Sequence, residues 1–579
     1  MRRAILALVL VVFPAAPFAK GEDTLSVEMK NDVLLRALVD ELERNKGGLR
    51  LEDLEVPYFI EFGLSDTSSG TVSASLGAMT HRDDSRRRRL RTNVRVGSYE
   101  LDNTNFRGGG GWYFGGGYGW YGGASVPIED DYNAIRQAIW WAADRGYKNV
   151  VETFERKKAE MKNLVIEDKP DDFSREDPAV YFEQHIEPAV DLGGFERMAV
   201  NLSGIFREYP DIQNSSVTVT GQLGNRYLVN TEGTRIRTSY RYYCVSATAT
   251  VQADDGMEFS DSVSIPARKF EALPPLEEAS GRCREMIENL IAVKNAPRLD
   301  ETYTGPVLFD AEPAATLFFN RFASQFAGGQ RPVGSRTSAT DFENKLGKRI
   351  LPRFIDVLDD PAMTEINGKP VLGHYVLDDQ GVKAGPVTLV EKGRLQAQVM
   401  SRNPSKHFSK STGHGRPGAT TSTLLVQVVN AANAAELKEQ LLEICEDEDL
   451  EYGIRVASLG GMGGERYSRY SFSSYDFDFP GYGRGGSMPL RMYKLFPDGR
   501  EELIRGAELA GIDMKAYKRM PAAGDEPYVY NTGSGAHGKT VVAPAMLFEE
   551  LDLAKIDRDF GKPPVLPSPL ARQERPAGE

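Results

Sequence analysis

The sequence predicts an α+β protein: an N-terminal α/β half with long helices on an antiparallel sheet, then a β-rich C-terminal half of curved sheets. Three observations lead there. Apolar residues recur at helical spacing in long segments of the first half. Runs of alternating Val, Thr and Tyr between polar turns recur in both halves. The composition, 41% hydrophobic and 26% charged over 579 residues, is that of an ordinary globular chain.

The chain opens with Arg2 and Arg3, an apolar run from Ala4 to Phe13, and small residues around Ala15, Ala16 and Ala19. That order predicts a signal peptide over 1–19 and an exported protein, periplasmic or extracellular. The competing reading, the start of a buried helix in a cytoplasmic protein, lacks the small-residue step. The run is shorter than the ~20 residues that span a bilayer, and no later segment is apolar enough, so no membrane span is expected after signal removal. A first domain is predicted over 26–297, a second over 298–560, and a flexible Pro-rich tail over 561–579.

Within the first domain, Val33, Leu34, Leu38, Val39 and Leu42 place a helix at 28–46. Alternation over 55–106 predicts strands. Arg86 to Arg89 form a basic run, read as a solvated strand edge or loop. Residues 107–123, RGGGGWYFGGGYGWYGG, predict a loop, because glycine makes regular structure entropically costly. A helix follows from Asp131 to about Asn163, with Ile135, Ile139, Ala143, Tyr147, Val150, Val151 and Phe154 on one stripe. Trp140 and Trp141 on it are read as core or interface anchors. Residues 190–275 are expected to form hairpins with turns at LGN and TEGT, and a helix from Arg282 to Ala296 ends before Pro297. The second half is strand-rich, with a second Gly/aromatic loop at 460–486.

The formal net charge of −13 argues against a nucleic-acid partner. Cys244, Cys283 and Cys445 allow at most one disulfide and no multi-cysteine metal centre. No G-x-S-x-G elbow or P-loop occurs. GSGAHG at 533–538 precedes a strand-like segment rather than a helix, so it is no dinucleotide site. No His pair stands on a helix with a Glu at zincin spacing. His407 and His414 are the closest pair and the one candidate for a metal; His81, His185, His374 and His537 are scattered.

The second half resembles the TldD/PmbA, or modulator of DNA gyrase, family. The likeness rests on GPVLFDAEPAATLFFNRFASQFAGG (305–329), HYVLDDQGVKAGPVTLVEKGRL (374–395) and SKSTGHGR (409–416), in the family's order. The resemblance implies a metallopeptidase-like fold that works in proteolysis. TldD-type members carry H-E-x-x-x-H on a helix and bind zinc, with a further Cys ligand; PmbA (TldE)-type members lack the motif and partner the catalytic subunit. Here Phe319, Asn320 and Ser324 hold the three motif positions, and no Cys falls between Tyr528 and Pro544. The resemblance therefore implies no catalytic residue and no cofactor of its own. It implies a non-catalytic TldE-like subunit, a homodimer or a heterodimer with a TldD-type chain, that binds peptide or unfolded protein. Two alternatives remain open: an active metallopeptidase whose metal site has moved to His407 and His414 with Asp378 and Asp379, or an exported binding protein on the same fold.

Overall fold

The computed structural model describes residues 21–51, 54–107, 120–164, 168–335, 340–416, 418–460, 488–509, 511–557 and 560–571. The predicted signal, most of both Gly/aromatic segments and the end of the tail lie outside these residues.

Seven strands form the first sheet: β1 (Pro57–Ser75), β2 (Ala78–Val96), β3 (Trp120–Val126), β4 (Val180–Phe182), β5 (Asn214–Asn230), β6 (Arg235–Gln252) and β7 (Glu258–Ala267). Their order is β3-β2-β1-β5-β6-β4, with β7 also on β6. All pairs are antiparallel except β4 with β6. One face packs on helices α2 (Val33–Gly48) and α3 (Tyr132–Met161) at one end, and on α4 (Leu192–Ser203) and α5 (Leu276–Asn295) at the other. The predicted stripe of α3 is buried throughout. The Asp131 side chain accepts from Ala134 N, which starts that helix where the pattern predicts.

The predicted helix at 28–46 is two helices, α1 (Gly21–Asn31) and α2, because the Asp32 carboxylate caps Leu34 N and Leu35 N and begins a new one. Four further expectations are corrected. Residues 120–123 open β3 instead of ending the glycine loop, since Trp120 and Tyr121 pair with Asn93 and Thr92 of β2 and the ladder's register shift falls at the glycines. The 190–275 stretch contains helix α4, whose apolar face covers β1 and β5. LGN is not a turn: Gly224 lies mid-strand, where a Cβ would come 2.3 Å from the Asp66 carbonyl oxygen of the neighbouring strand. Trp140 and Trp141 are 36% and 53% exposed and take no place in the core. The basic run is divided by strand alternation. Arg88 is buried on Asp66 and Asp130, Arg86 pairs with Asp66, and Arg87 and Arg89 face outward.

The second sheet has 11 strands: β8 (Tyr303–Phe309), β9 (Ile355–Asp359), β12 (Val387–Glu391), β13 (Arg394–Leu395), β14 (Thr423–Val428), β15 (Gly453–Gly460), β16 (Met488–Leu495), β17 (Glu501–Ile504), β18 (Ala507–Leu509), β19 (Ala522–Thr532) and β20 (Lys539–Lys555). A small hairpin of β10 (Glu365–Ile366) and β11 (Lys369–Pro370) stands apart. The long strand β20 is the spine, paired with β8, β14, β18 and β19. Helix α6 (Ala311–Phe322) covers one face; α7 (Ala434–Asp447), opened by an Asn433–Glu436 capping box, covers the other. No helix among the described residues is long and apolar enough to cross a membrane. All three cysteines are free.

Candidate functional site at the junction of the two sheets

Helix α6 carries the motif positions singled out by resemblance. Its inner side is aromatic: the Phe318 and Phe322 rings stack at 4.5 Å, and Phe322 meets Tyr517 and Phe326. The outer side carries Phe319, half-buried, with its ring centroid 6.2 Å from that of Tyr530 on β19. The Lys539 ammonium lies 5.8 Å from the Phe319 centroid. Asn320 and Ser324 are exposed. A benzene ring, an amide, a hydroxyl and an ammonium offer a divalent cation no anionic or imidazole donor. The zinc that the resemblance implies for TldD-type members does not fit these side chains.

The second metal candidate is not assembled either. His407 is exposed, whereas His414 is fully buried. His414 Nδ1 lies 2.9 Å from the Thr412 carbonyl oxygen, so that nitrogen carries the proton. This leaves Nε2 as an unpartnered acceptor, 3.9 Å from Asp359 Oδ2. Burial pushes the His414 imidazole below its usual range against the pull of Asp359. Asp359 is itself committed to Ser422 N, Ser422 Oγ and Thr423 N. Among the described residues no group of three His, Cys, Asp or Glu is placed to hold a metal.

What the fold does assemble is a polar junction where loops 374–382 and 400–416 of the second half meet the first sheet. Arg402 is its pin. Fully buried, its guanidinium donates to the Ser174 carbonyl and to both carboxylate oxygens of Glu232 (2.7 and 2.8 Å), and lies 3.9 Å over Phe173. Its backbone N–H donates to Gln380 Oε1. Asp378 staples the two loops together, accepting from Gln380 N, Val382 N and Gly415 N at 2.8–2.9 Å. Burial pushes its carboxyl up to about 7 in spite of those three donors.

Asp379 behaves oppositely. Burial favours its neutral form, but the nearby charges of Arg226, Arg416 and Arg91 outweigh that and hold it well below the usual carboxylate range. Arg226, on β5, comes 2.6 Å from Asp379 Oδ1; His537, half-exposed in the turn before β20, comes 3.9 Å from Oδ2. Arg416 lies 3.7 Å over the Tyr375 ring. Beside these groups is a small cleft of about 40 Å³, lined by Gly63, Ser65, Arg91 and Arg226 from the first sheet and Leu377 to Asp379 from the second half.

Arg226, Arg402, Asp359 and Lys539 have no counterpart in the sequence reading. One signal was available: strand alternation puts Arg226 on the sheet face turned away from the helices, the same face as Arg91. Asp379 entered the sequence reading only as a candidate carboxylate of a relocated metal site, and Arg416 stood inside a quoted segment without a role.

In class, this is a two-sheet α+β protein whose polar centre lies between the sheets and brings together cations rather than metal ligands. Comparison with known proteins narrows the class. Residues 301–477 match the PmbA/TldA metallopeptidase C-terminal domain. TldE from Thermococcus kodakarensis has the same fold, with a TM-score of 0.56 at 15% identity, covering 90% of this chain and all of that one. A candidate modulator of a DNA gyrase from Thermotoga maritima MSB8 gives 0.56 at 14%, covering 91% of this chain and 100% of its own. A metalloprotease of Archaeoglobus fulgidus is 20% identical over 270 residues, 46% of this chain and about half (55%) of that protein. The chain thus carries a PmbA/TldD-type C-terminal domain in a whole-chain fold shared with these structures.

Proposed function

We propose that this protein is a non-catalytic, TldE-like member of its class that holds peptide or unfolded polypeptide for a separate TldD-type peptidase. One observation carries the reading. On α6, at the positions where the resemblance puts zinc ligands, Phe319 faces Tyr530 and the Lys539 ammonium. The same surface suits an extended chain, which offers aromatic side chains and carbonyl oxygens to bind. Strand addition has a template as well: β3 pairs with β2 only from Arg88 to Asn93, so β2 from Ala78 to Arg87 has no outer partner among the described residues. The assembly is a homodimer or a heterodimer with the catalytic chain, and the signal-like N-terminus supports an exported location for both partners.

The test uses the full chain with a fluorescently labelled unstructured peptide. Binding by anisotropy without cleavage is expected, unchanged by a chelator or by added zinc. Cleavage is expected only when a TldD-type chain carrying H-E-x-x-x-H is added. Hydrolysis by the protein alone that disappears with the chelator would instead establish an active metallopeptidase. Absence of any binding would leave a structural role on the same fold.

A further inference from the structure

One edge of the second sheet, at β13, carries cations on a locked frame. The hairpin of β12 and β13 lies beside segment 347–353. Ile350 N donates to the Gly393 carbonyl, Gly393 N to the Ile355 carbonyl, Gly347 N to the Leu395 carbonyl and Leu395 N to the Lys348 carbonyl, at 2.8–3.1 Å. Gly393 makes this approach possible: at its φ of +72° a Cβ would come 2.2 Å from the Leu351 carbonyl oxygen. Between hairpin and segment is a groove of about 310 Å³, lined by Arg353, Glu391, Lys392, Arg394 and Gln396. Arg349 stands opposite Arg394 across the ladder, a placement in which like charges repel. Lys348, Arg349, Arg353, Lys392 and Arg394 are all exposed, and none makes an ion pair among the described residues.

The end of α7 shows the opposite charge. Glu446, Asp447, Glu448, Asp449 and Glu451 follow one another there, all exposed and without an ion pair among the described residues. The last turn of α7 holds no base, so these acids sit at the negative end of the helix dipole. Each cluster breaks a local electrostatic rule, and the two match in sign and number. The groove suits a short acidic polypeptide. It has no aromatic ring on which a nucleic-acid base could stack. It has no apolar side chain to enter a lipid surface. The Gln396 carboxamide can pair with main-chain groups.

We propose that this groove takes the acidic turn 446–451 of a second copy of the chain. Arg353 and Arg394 present guanidinium forks to its carboxylates, and Lys348, Arg349 and Lys392 add charge around them. Exchange in both directions about a two-fold axis closes the pair. This gives an interface to the homodimeric form of the assembly and does not depend on peptide holding, which the anisotropy test decides separately.

The test is sedimentation velocity of the full chain at about 0.05 M and about 0.5 M salt. Self-association is expected at the lower salt and about tenfold or more weaker at the higher, because exposed charges are screened. One variant reverses the groove (Arg349→Glu, Arg353→Glu and Arg394→Glu together), and another reverses the turn (Glu446→Lys, Asp447→Lys and Glu451→Lys together). Each alone should stay monomeric. Their equimolar mixture should associate within about threefold of the wild type, since every reversed surface then meets its complement. A monomeric wild type, association that neither salt nor the variants weaken, or loss in both variants without recovery on mixing overturns the proposal. Should a variant fail to fold, a peptide decides. Acetyl-Glu-Asp-Glu-Asp-Leu-Glu-amide should bind the wild type in calorimetry and disperse its self-association, whereas the peptide with Gln and Asn in place of Glu and Asp should do neither. Equal behaviour of the two peptides overturns the proposal.

Discussion

Two buried polar regions of this protein use the same residue types to opposite effect. Inside the first half, Arg95 and Lys157 face Asp102 and Asp172. Lys157 donates to Asp172 (2.6 Å) and Arg95 to Asp102 (2.7 Å), and the carboxylates take further donors from Tyr58, Thr104, Asn105 and the Asp102 backbone. Three cations, Arg95, Lys157 and Lys169, meet two anions, and loops 97–107 and 168–174 are locked to α3. At the junction, Arg91 and Arg226 meet Asp378 and Asp379 beside a small cleft, and Arg416 stacks on Tyr375. A closed network holds its loops in place, whereas a polar group beside a cleft need not carry the fold.

The largest effects test that difference directly. Lys157→Met leaves Asp172 buried with less compensation and should cost about 3–5 kcal/mol in denaturant unfolding. Arg416→Met removes a cation that no carboxylate depends on alone, and should change stability by no more than about 1 kcal/mol, or raise it. Equal losses in the two variants would erase the distinction between the regions.

Next is Glu61, which lies between the two regions on β1 and is 1% exposed. Burial pushes its carboxyl from 4.5 up to about 7, partly opposed by Arg402 and by a 3.4 Å hydrogen bond from Asn93. Between those values the folded chain holds more protons at Glu61 than the unfolded chain does. Its contribution to stability therefore falls as pH rises from about 4.5 to 7, by about 3 kcal/mol. Glu61→Gln should flatten this part of the pH–stability curve and gain most above pH 7. An unchanged slope would mean that Arg402 and Arg95 already compensate Glu61, making it part of the closed region.

Much of the first half was legible in the sequence because its signals are local. The α3 stripe and its Asp131 cap lie within one helix, and the strand alternation of 55–106 appears as β1 and β2. The misses have physical causes. Asp32 split a helix because a cap outweighs continued periodicity, and Gly224 looked like a turn because its true reason, a neighbouring strand's carbonyl at close range, is tertiary. The candidate site was half legible. The motif positions on α6 could be named and their chemistry judged residue by residue, whereas His407 and His414 drew attention through nearness in sequence, and the fold leaves one exposed and buries the other.

By itself the sequence determined the α+β class and the helical faces, because both are written in local periodicity, and it placed Phe319 and Asn320 on one helix. Only the tertiary structure decided that Arg226 of a first-sheet strand and Asp379 of a loop in the second half share one cleft. Periodicity carries information over a few residues along the chain, whereas a buried charge takes its meaning from neighbours that the packing of two sheets brings to it.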